Sequence, residues 1–281
     1  MNVRATLSNP RAIIGATILA FFILVAILAP VLSPYSPTDI NFAVGLGPTW
    51  QHWLGTTEGG QDILSQLIWG TRESVSVGLL TGVLICVVQL VMGVFAGYVG
   101  GFTDTAFATV TNVFLVLPAL PLLIVLSAYL QGSGGSGSTA VLIGVITITG
   151  WAWGARVLRS QAIALRDRPF VEAARVSGEG RWHIVLSHIV PNMLGIMVAN
   201  FFGAALFAVL AEAGLEFIGL GNINTVTWGT MLYWAQNDEA TLMGLWTWLL
   251  VPGLCILVFG TALGLLNFAV DEIANPSLRR D

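Results

Sequence analysis

Residues 12–32 read Ala12-Ile13-Ile14-Gly15-Ala16-Thr17-Ile18-Leu19-Ala20-Phe21-Phe22-Ile23-Leu24-Val25-Ala26-Ile27-Leu28-Ala29-Pro30-Val31-Leu32, an unbroken run with no charged side chain. About 20 mainly apolar residues suffice to cross a bilayer as a helix. Arg4 and Arg11 stand in front of the run, and Pro30, Pro34 and Pro37 mark its end. It is too long for a signal peptide, and no small-residue cleavage pattern follows it. Working outward, five further runs have the same character, at about 75–97, 106–130, 139–158, 191–213 and 242–268. The expectation is an all-α membrane protein with six transmembrane helices.

Composition agrees. The 281 residues are 56% hydrophobic and 9% charged, against about a quarter charged in soluble domains. Mean hydropathy is +0.83. Glycines recur inside the runs (Gly78, Gly82, Gly93, Gly97, Gly203, Gly260, Gly264), where they let helix backbones approach closely in lipid. The only cysteines, Cys86 and Cys255, lie in apolar runs, which excludes a disulfide scaffold. All 11 basic residues are arginine. A chain without lysine has no P-loop and no Schiff-base lysine, so any ATP hydrolysis belongs to another chain.

Arginine placement sets the orientation. With the N-terminus inside, residues 1–11, 98–105, 159–190 and 269–281 are cytosolic. Those segments and the helix ends abutting them hold Arg4, Arg11, Arg156, Arg159, Arg166, Arg168, Arg175, Arg181, Arg279 and Arg280, leaving Arg72 alone outside. Both termini are expected in the cytosol. Three regions follow: 1–74, with the first span and an external segment; 75–268, a core of five spans; and 269–281, a cytosolic tail. The external residues Trp50, Trp53 and Trp69 read as interface anchors, and the loop 131–138 as a flexible polar turn.

The cytosolic loop 159–190 is the most polar stretch. Pro169 suits the first turn of a helix that continues to Ser177, and Gly178 supplies a left-handed cap. A second short helix then runs from Arg181 to Val190, before Pro191 and Asn192 open the fifth span. The product is a helix–glycine–helix elbow lying along the membrane surface. Ala173 and Ala174 offer side chains small enough for a partner groove to close over them.

Glu172-Ala173-Ala174, then Gly178, then His188-Ile189-Val190-Pro191-Asn192 resemble the EAA loop of type I ABC importer permeases, closest to the oligopeptide, dipeptide and nickel branch. Val190 replaces the branch's usual leucine, while His188 stands where the wider family has isoleucine. Three further stretches resemble the same branch. Leu54-Gly55-Thr56 through Gly70-Thr71-Arg72-Glu73-Ser74 matches the signature before its second span. Gly97-Tyr98-Val99-Gly100-Gly101 with Asp104 matches the turn after that span. Glu212 to Gly221, followed by Trp228-Gly229, matches its outer segment. The resemblance covers roughly residues 50 to 270. Departures are Thr57 where the branch has aspartate, Gln61 and Gln66 where it has arginine, and Glu216 where it has serine.

The resemblance implies a permease subunit of a bacterial inner-membrane importer without a catalytic site. It pairs with a second, homologous permease as a heterodimer, and two cytosolic ATPase subunits bind the ATP and Mg. An extracellular or periplasmic binding protein delivers cargo. The elbow, through Glu172, Ala173, Ala174, Gly178, His188 and Pro191, would dock into an ATPase groove. Glu172 would meet a basic residue there, and Gly178 would set the angle between the two helices. Peptides are the first expectation for the cargo, with nickel and oligosaccharides as alternatives.

Other polar residues carry two readings each. Gln89, Asn112 and Asn200 lie inside spans, where they either line the passage or hydrogen-bond between helices. Glu212 and Glu216, four apart on one face near the outer end of the fifth span, are either functional or simply hydrated. Asp104 reads as a helix N-cap. His52, His183 and His188 have no cysteine or carboxylate at ligand spacing in the sequence, so no zinc site is expected. No cofactor in this chain and no nucleic acid are expected. A rival class, a self-sufficient secondary transporter, would show an internal repeat and charges at mid-membrane, and neither is visible.

Overall fold

In the computed structural model, residues 9–132 and 138–274 are described, and their regular structure is entirely helical. Arg4, Arg279, Arg280 and the loop residues 133–137 lie outside the described residues. Helix α1 (Pro10–Leu32) starts where Asn9 caps it, its side-chain oxygen accepting from the Arg11 amide, with Pro10 in the first turn. Helix α2 (Ile63–Val99) contains a π turn at Leu90–Phe95. Then follow α3 (Gly101–Val116), α4 (Ala119–Gly132), α5 (Thr139–Gly150), α6 (Ala152–Arg166) and α7 (Pro169–Val176). Helix α8 (Arg181–Phe217) has a second π turn at Val185–Ile189, and α9 (Trp228–Asn237) and α10 (Trp246–Ala274) complete the chain.

Four of these helices, α1, α2, α8 and α10, are long and apolar enough to cross a membrane. The pairs α3–α4 and α5–α6 qualify only together, bent by 91° and 46°. Counting each bent pair once gives the six expected units. The span expected at 106–130 is therefore not one straight helix. Leu117 precedes Pro118, whose ring excludes the helical region for its neighbour, and Leu117 is extended at φ −68°, ψ 128°. Just before the bend between α5 and α6, the Thr149 hydroxyl donates to the carbonyls of Val145 (2.9 Å) and Ile146 (3.2 Å), a local competitor of the backbone ladder.

Helix α8 is the central post, packed against α2 and α10, while α1 lies across α2 and α10. Close approach depends on glycine. A Cβ on Gly82 would meet the Ala205 backbone at 3.1 Å, and one on Gly93 would stand 2.5 Å from the Ala155 carbonyl oxygen. Gly264, read in the same way from sequence, meets nothing within 4 Å.

Arg11 pairs with Glu272 at 2.7 Å and Asn9 donates to the same carboxylate at 2.8 Å, joining the start of α1 to the end of α10. At this arginine-rich end, Val94, Tyr98, Leu158, Ala162, Val171, Ala174, Ile184 and Ile189 form one apolar cluster that ties α2 and α6 to α7 and the start of α8.

The opposite end carries residues 33–62 and α9. The helix begins at Ile63, so part of the stretch expected as an external segment is in fact the first turns of α2. Asp62 caps it, accepting from the Ser65 amide at 2.8 Å, and its other oxygen meets His52 Nδ1 at 2.9 Å. The rings of Tyr35 and Phe42 pack against that imidazole. Thr57, Gln61 and Gln66, which depart from the family pattern, are linked to one another. The Thr57 hydroxyl and the Gln66 amide both donate to Gln61 Oε1, at 2.9 and 3.2 Å. Trp50 and Trp53 project outward, whereas Trp69 is half-buried with the Arg72 guanidinium 5.5 Å above its ring.

Candidate coupling elbow and central cavity

The elbow forms as its sequence dictates, with one difference in its second arm. Pro169 opens α7, and Gly178 adopts φ +82°, the left-handed region that ends the helix. The Glu179 amide donates back to the Ala174 carbonyl at 3.1 Å, closing the cap. Glu172 and Ala173 are exposed, but Ala174 turns inward to the apolar cluster, so only one of the two alanines is available to a partner. Glu172 makes no ion pair among the described residues. Exposed beside it are Phe170, at 41%, and Val176, at 89%.

The second arm is not a separate helix. Residues 181–190 run on through the π turn into α8 without a break. Pro191 lacks an amide hydrogen and its ring crowds the carbonyl four residues earlier, so the ladder shifts by one, and the Val190 amide bonds Val185 instead. Trp182 stacks flat on Phe95 of α2, with centroids 4.5 Å apart and planes at 10°.

The sequence reading finds no carboxylate at ligand spacing from His52, His183 or His188, and the structure corrects that twice. Asp62 pairs with His52, and Glu179 Oε2 lies 2.8 Å from His188 Nε2 and 3.6 Å from His183 Nε2. Asp104 is corrected too. It sits in the first turn of α3 behind Gly100, the residue at the cap position, and its carboxylate takes a two-pronged grip from Arg159 at 2.5 and 2.8 Å, fastening α3 to α6.

A cavity of about 630 Å³ lies between α2, the α3–α4 bend, the α5–α6 bend and α8. Gln89 and Asn200 both line it, with Asn267, which the sequence reading passed over. Asn112 does not; it accepts from Arg156 at 2.5 Å. Gln89 is buried with its Oε1 unpaired among the described residues, and Gly154 makes room for it, since a Cβ there would fall 2.2 Å from the amide carbon. Phe114, Trp153 and Phe207 supply aromatic walls, and no charged side chain lines the cavity.

Glu212 and Glu216 are buried within the chain, 2% and 5% exposed, with the start of α9 lying against Glu216. Thr227 donates its hydroxyl to Glu216, and a Cβ on Gly229 would collide with that carboxylate, so the spot admits no side chain. Thr227 also caps α9 through a reciprocal bond with Thr230. Thr227→Val removes both the cap and the donor to a buried carboxylate, at a cost of about 1–3 kcal/mol. The expected result is a lower melting temperature in detergent, with Thr227→Ser close to wild type. Equal melting of all three proteins would mean that Glu216 does not depend on this hydroxyl.

Comparison with known proteins places the chain. The binding-protein-dependent transport system inner membrane component family matches residues 89–280, and the N-terminal TM domain of oligopeptide transport permease C matches residues 3–48. The chain belongs to the binding-protein-dependent transport system inner membrane component family, the permease subunits of ABC importers, and is a multi-pass protein of the bacterial inner membrane. It is 30% identical to the dipeptide transport system permease protein DppC of Bacillus subtilis (strain 168), over 97% of this chain and 83% of that one. It is 30% identical to the oligopeptide transport system permease protein OppC of Mycobacterium tuberculosis (strain ATCC 25618 / H37Rv), over 99% and 95%. It is 34% identical to the nickel transport system permease protein NikC of Escherichia coli (strain K12), over 93% and 92%. In fold it is similar to a chain of the MetNI methionine ABC transporter in inward facing conformations, with a TM-score of 0.55, 22% identity and coverage of 77% and 97%.

Proposed function

We propose that this permease carries di- or oligopeptides, pairs with a second homologous permease to enclose the passage, and is driven through its elbow by two cytosolic ATPases. A binding protein supplies the cargo from outside. The observation that carries the cargo assignment is the cavity lining. Gln89, Asn200 and Asn267 offer neutral amide donors and acceptors beside aromatic walls. Such a surface satisfies peptide N–H and C=O groups and tolerates varied apolar side chains. Imidazole, thiol and carboxylate, the groups that hold a bare transition metal, are missing from that lining.

For the drive, the exposed Glu172, Ala173, Phe170 and Val176 on α7 form the docking face. Ile184 and Ile189 anchor the elbow to the bundle, and the Trp182–Phe95 stack connects it to α2. Gln89 lies on that same helix, just before its π turn. A push on the elbow is therefore delivered to a cavity wall. The mechanism is alternating access, with ATP-driven closure of the ATPases drawing the two elbows together. The arginine-rich end faces the cytosol. The alternative cargo, nickel, rests on the 34% identity to NikC.

Proteoliposomes holding both permeases, both ATPases and the binding protein test the cargo. Labelled peptide is expected inside on addition of ATP, undiminished by excess nickel. Nickel accumulation without peptide accumulation would replace this reading by the alternative. Gln89→Leu is expected to reduce peptide uptake severalfold while leaving basal ATP hydrolysis unchanged, and wild-type uptake would remove Gln89 from the pathway.

A further inference from the structure

We propose that Glu179, His183 and His188 form a binding site for a divalent transition metal, of the zinc class, on the elbow. Their ligand atoms lie within 4.8 Å of one another, with Glu179 Oε2 between the two imidazoles. Four ligands placed about 2.0–2.1 Å around zinc stand about 3.3 Å apart. Glu179 and His183, at 3.6 Å, are near that spacing, and His188, at 2.8 Å, needs only a small outward turn of its ring. Two imidazoles and one carboxylate suit zinc, nickel or copper rather than magnesium or calcium. Three protein ligands leave a coordination position for water or for a group from a docked partner.

The backbone explains how the set assembles. Residues five apart in an α-helix lie about 140° apart around its axis. His183 and His188 would then diverge. The π turn at Val185–Ile189 inserts one residue into the turn and brings both rings to one side. Glu179 lies in the two-residue connector just after Gly178, so its side chain folds over the start of α8. A metal bound here joins the connector to the helix and pins the elbow angle beside its glycine hinge. The site is distant in kind from the cavity: it is a regulatory position, and its occupancy limits the motion of the coupling arm.

The test uses the full-length, tag-free permease in lipid nanodiscs, titrated with Zn²⁺ against a chromogenic chelator, and with Co²⁺ for its d–d absorption. One Zn²⁺ per chain is expected, with a tetrahedral Co²⁺ spectrum. His183→Ala, His188→Ala and Glu179→Gln should each weaken binding at least about tenfold. Their positions are exposed or half-exposed, and elution at the wild-type volume confirms an intact fold. An unchanged affinity in the double variant His183→Ala/His188→Ala overturns the site, and so does the lack of a one-to-one Zn²⁺ complex in the wild type. Zn²⁺ should also slow amide exchange over residues 177–184, and binding without slowing overturns the pinning role. These measurements need neither cargo nor ATPases, so their failure leaves the transport reading standing.

Discussion

ATP-driven uptake falls to background in Glu172→Arg and in Gly178→Val, with both proteins in the membrane at wild-type level. That result is expected because neither residue contributes to the bundle: Glu172 is exposed and a Cβ on Gly178 would meet nothing within 4 Å. The two variants fail differently. At φ +82° a side chain with a branched Cβ resists the left-handed conformation, which costs roughly 1–2 kcal/mol for ordinary L-residues. Gly178→Val therefore reorients α7 against α8, so the elbow docks at the wrong angle. Glu172→Arg keeps the shape and sets like charge against the basic residue proposed on the ATPase. The ATPases should copurify with Gly178→Val in reduced amount and with Glu172→Arg not at all. Full uptake by both would reduce the elbow to a device for orienting the chain in the membrane.

The second large effect is structural. Gly93→Val is expected to destroy the packing of α2 on α6, because its Cβ would stand 2.5 Å from the Ala155 carbonyl oxygen and 3.1 Å from the Ala155 Cα. Backbone atoms cannot rotate away as a side chain does, so the helices must separate. Overpacking a core costs typically 1–3 kcal/mol, and this case lies at or above the top of that range. A melting temperature several degrees lower and little uptake are the expected readings. Gly264→Ala is the control, since that position is open, and its melting should match wild type. Equal melting of the two variants would show that the α2–α6 crossing is not held by glycine.

Much of this architecture is legible in the sequence because lipid imposes simple rules. Apolar length marks each crossing unit, and the Pro169 start and Gly178 stop of α7 follow from local backbone chemistry. What escapes is the geometry that depends on a ladder changing its period. Pro118 and Pro191 are equally visible in the sequence. The first breaks a span by 91°, whereas the second is absorbed by a π turn and the helix continues. Local rules do not distinguish those outcomes, because the packing of the neighbouring helices decides them. The same shift hides the Glu179–His183–His188 cluster, whose five-residue histidine spacing does not fit an α-helix face. Asn267 was missed for a different reason. One amide in a long apolar run carries no signal until α10 is laid beside α8, where it donates to the Ala199 carbonyl at 2.8 Å. Glu212 and Glu216 show the limit from the other side, for spacing put them on one face but could not say that both are buried.

The link from Thr57 through Gln61 to Gln66 has a consequence for how this end of the chain responds to salt. A carboxylate–guanidinium arrangement at these positions would weaken as dissolved ions accumulate around it, since about 0.15 M salt screens exposed charges beyond roughly 8 Å. Amide and hydroxyl groups carry no net charge to be screened. The Thr57–Gln61–Gln66 link is thus held by contacts indifferent to ionic strength.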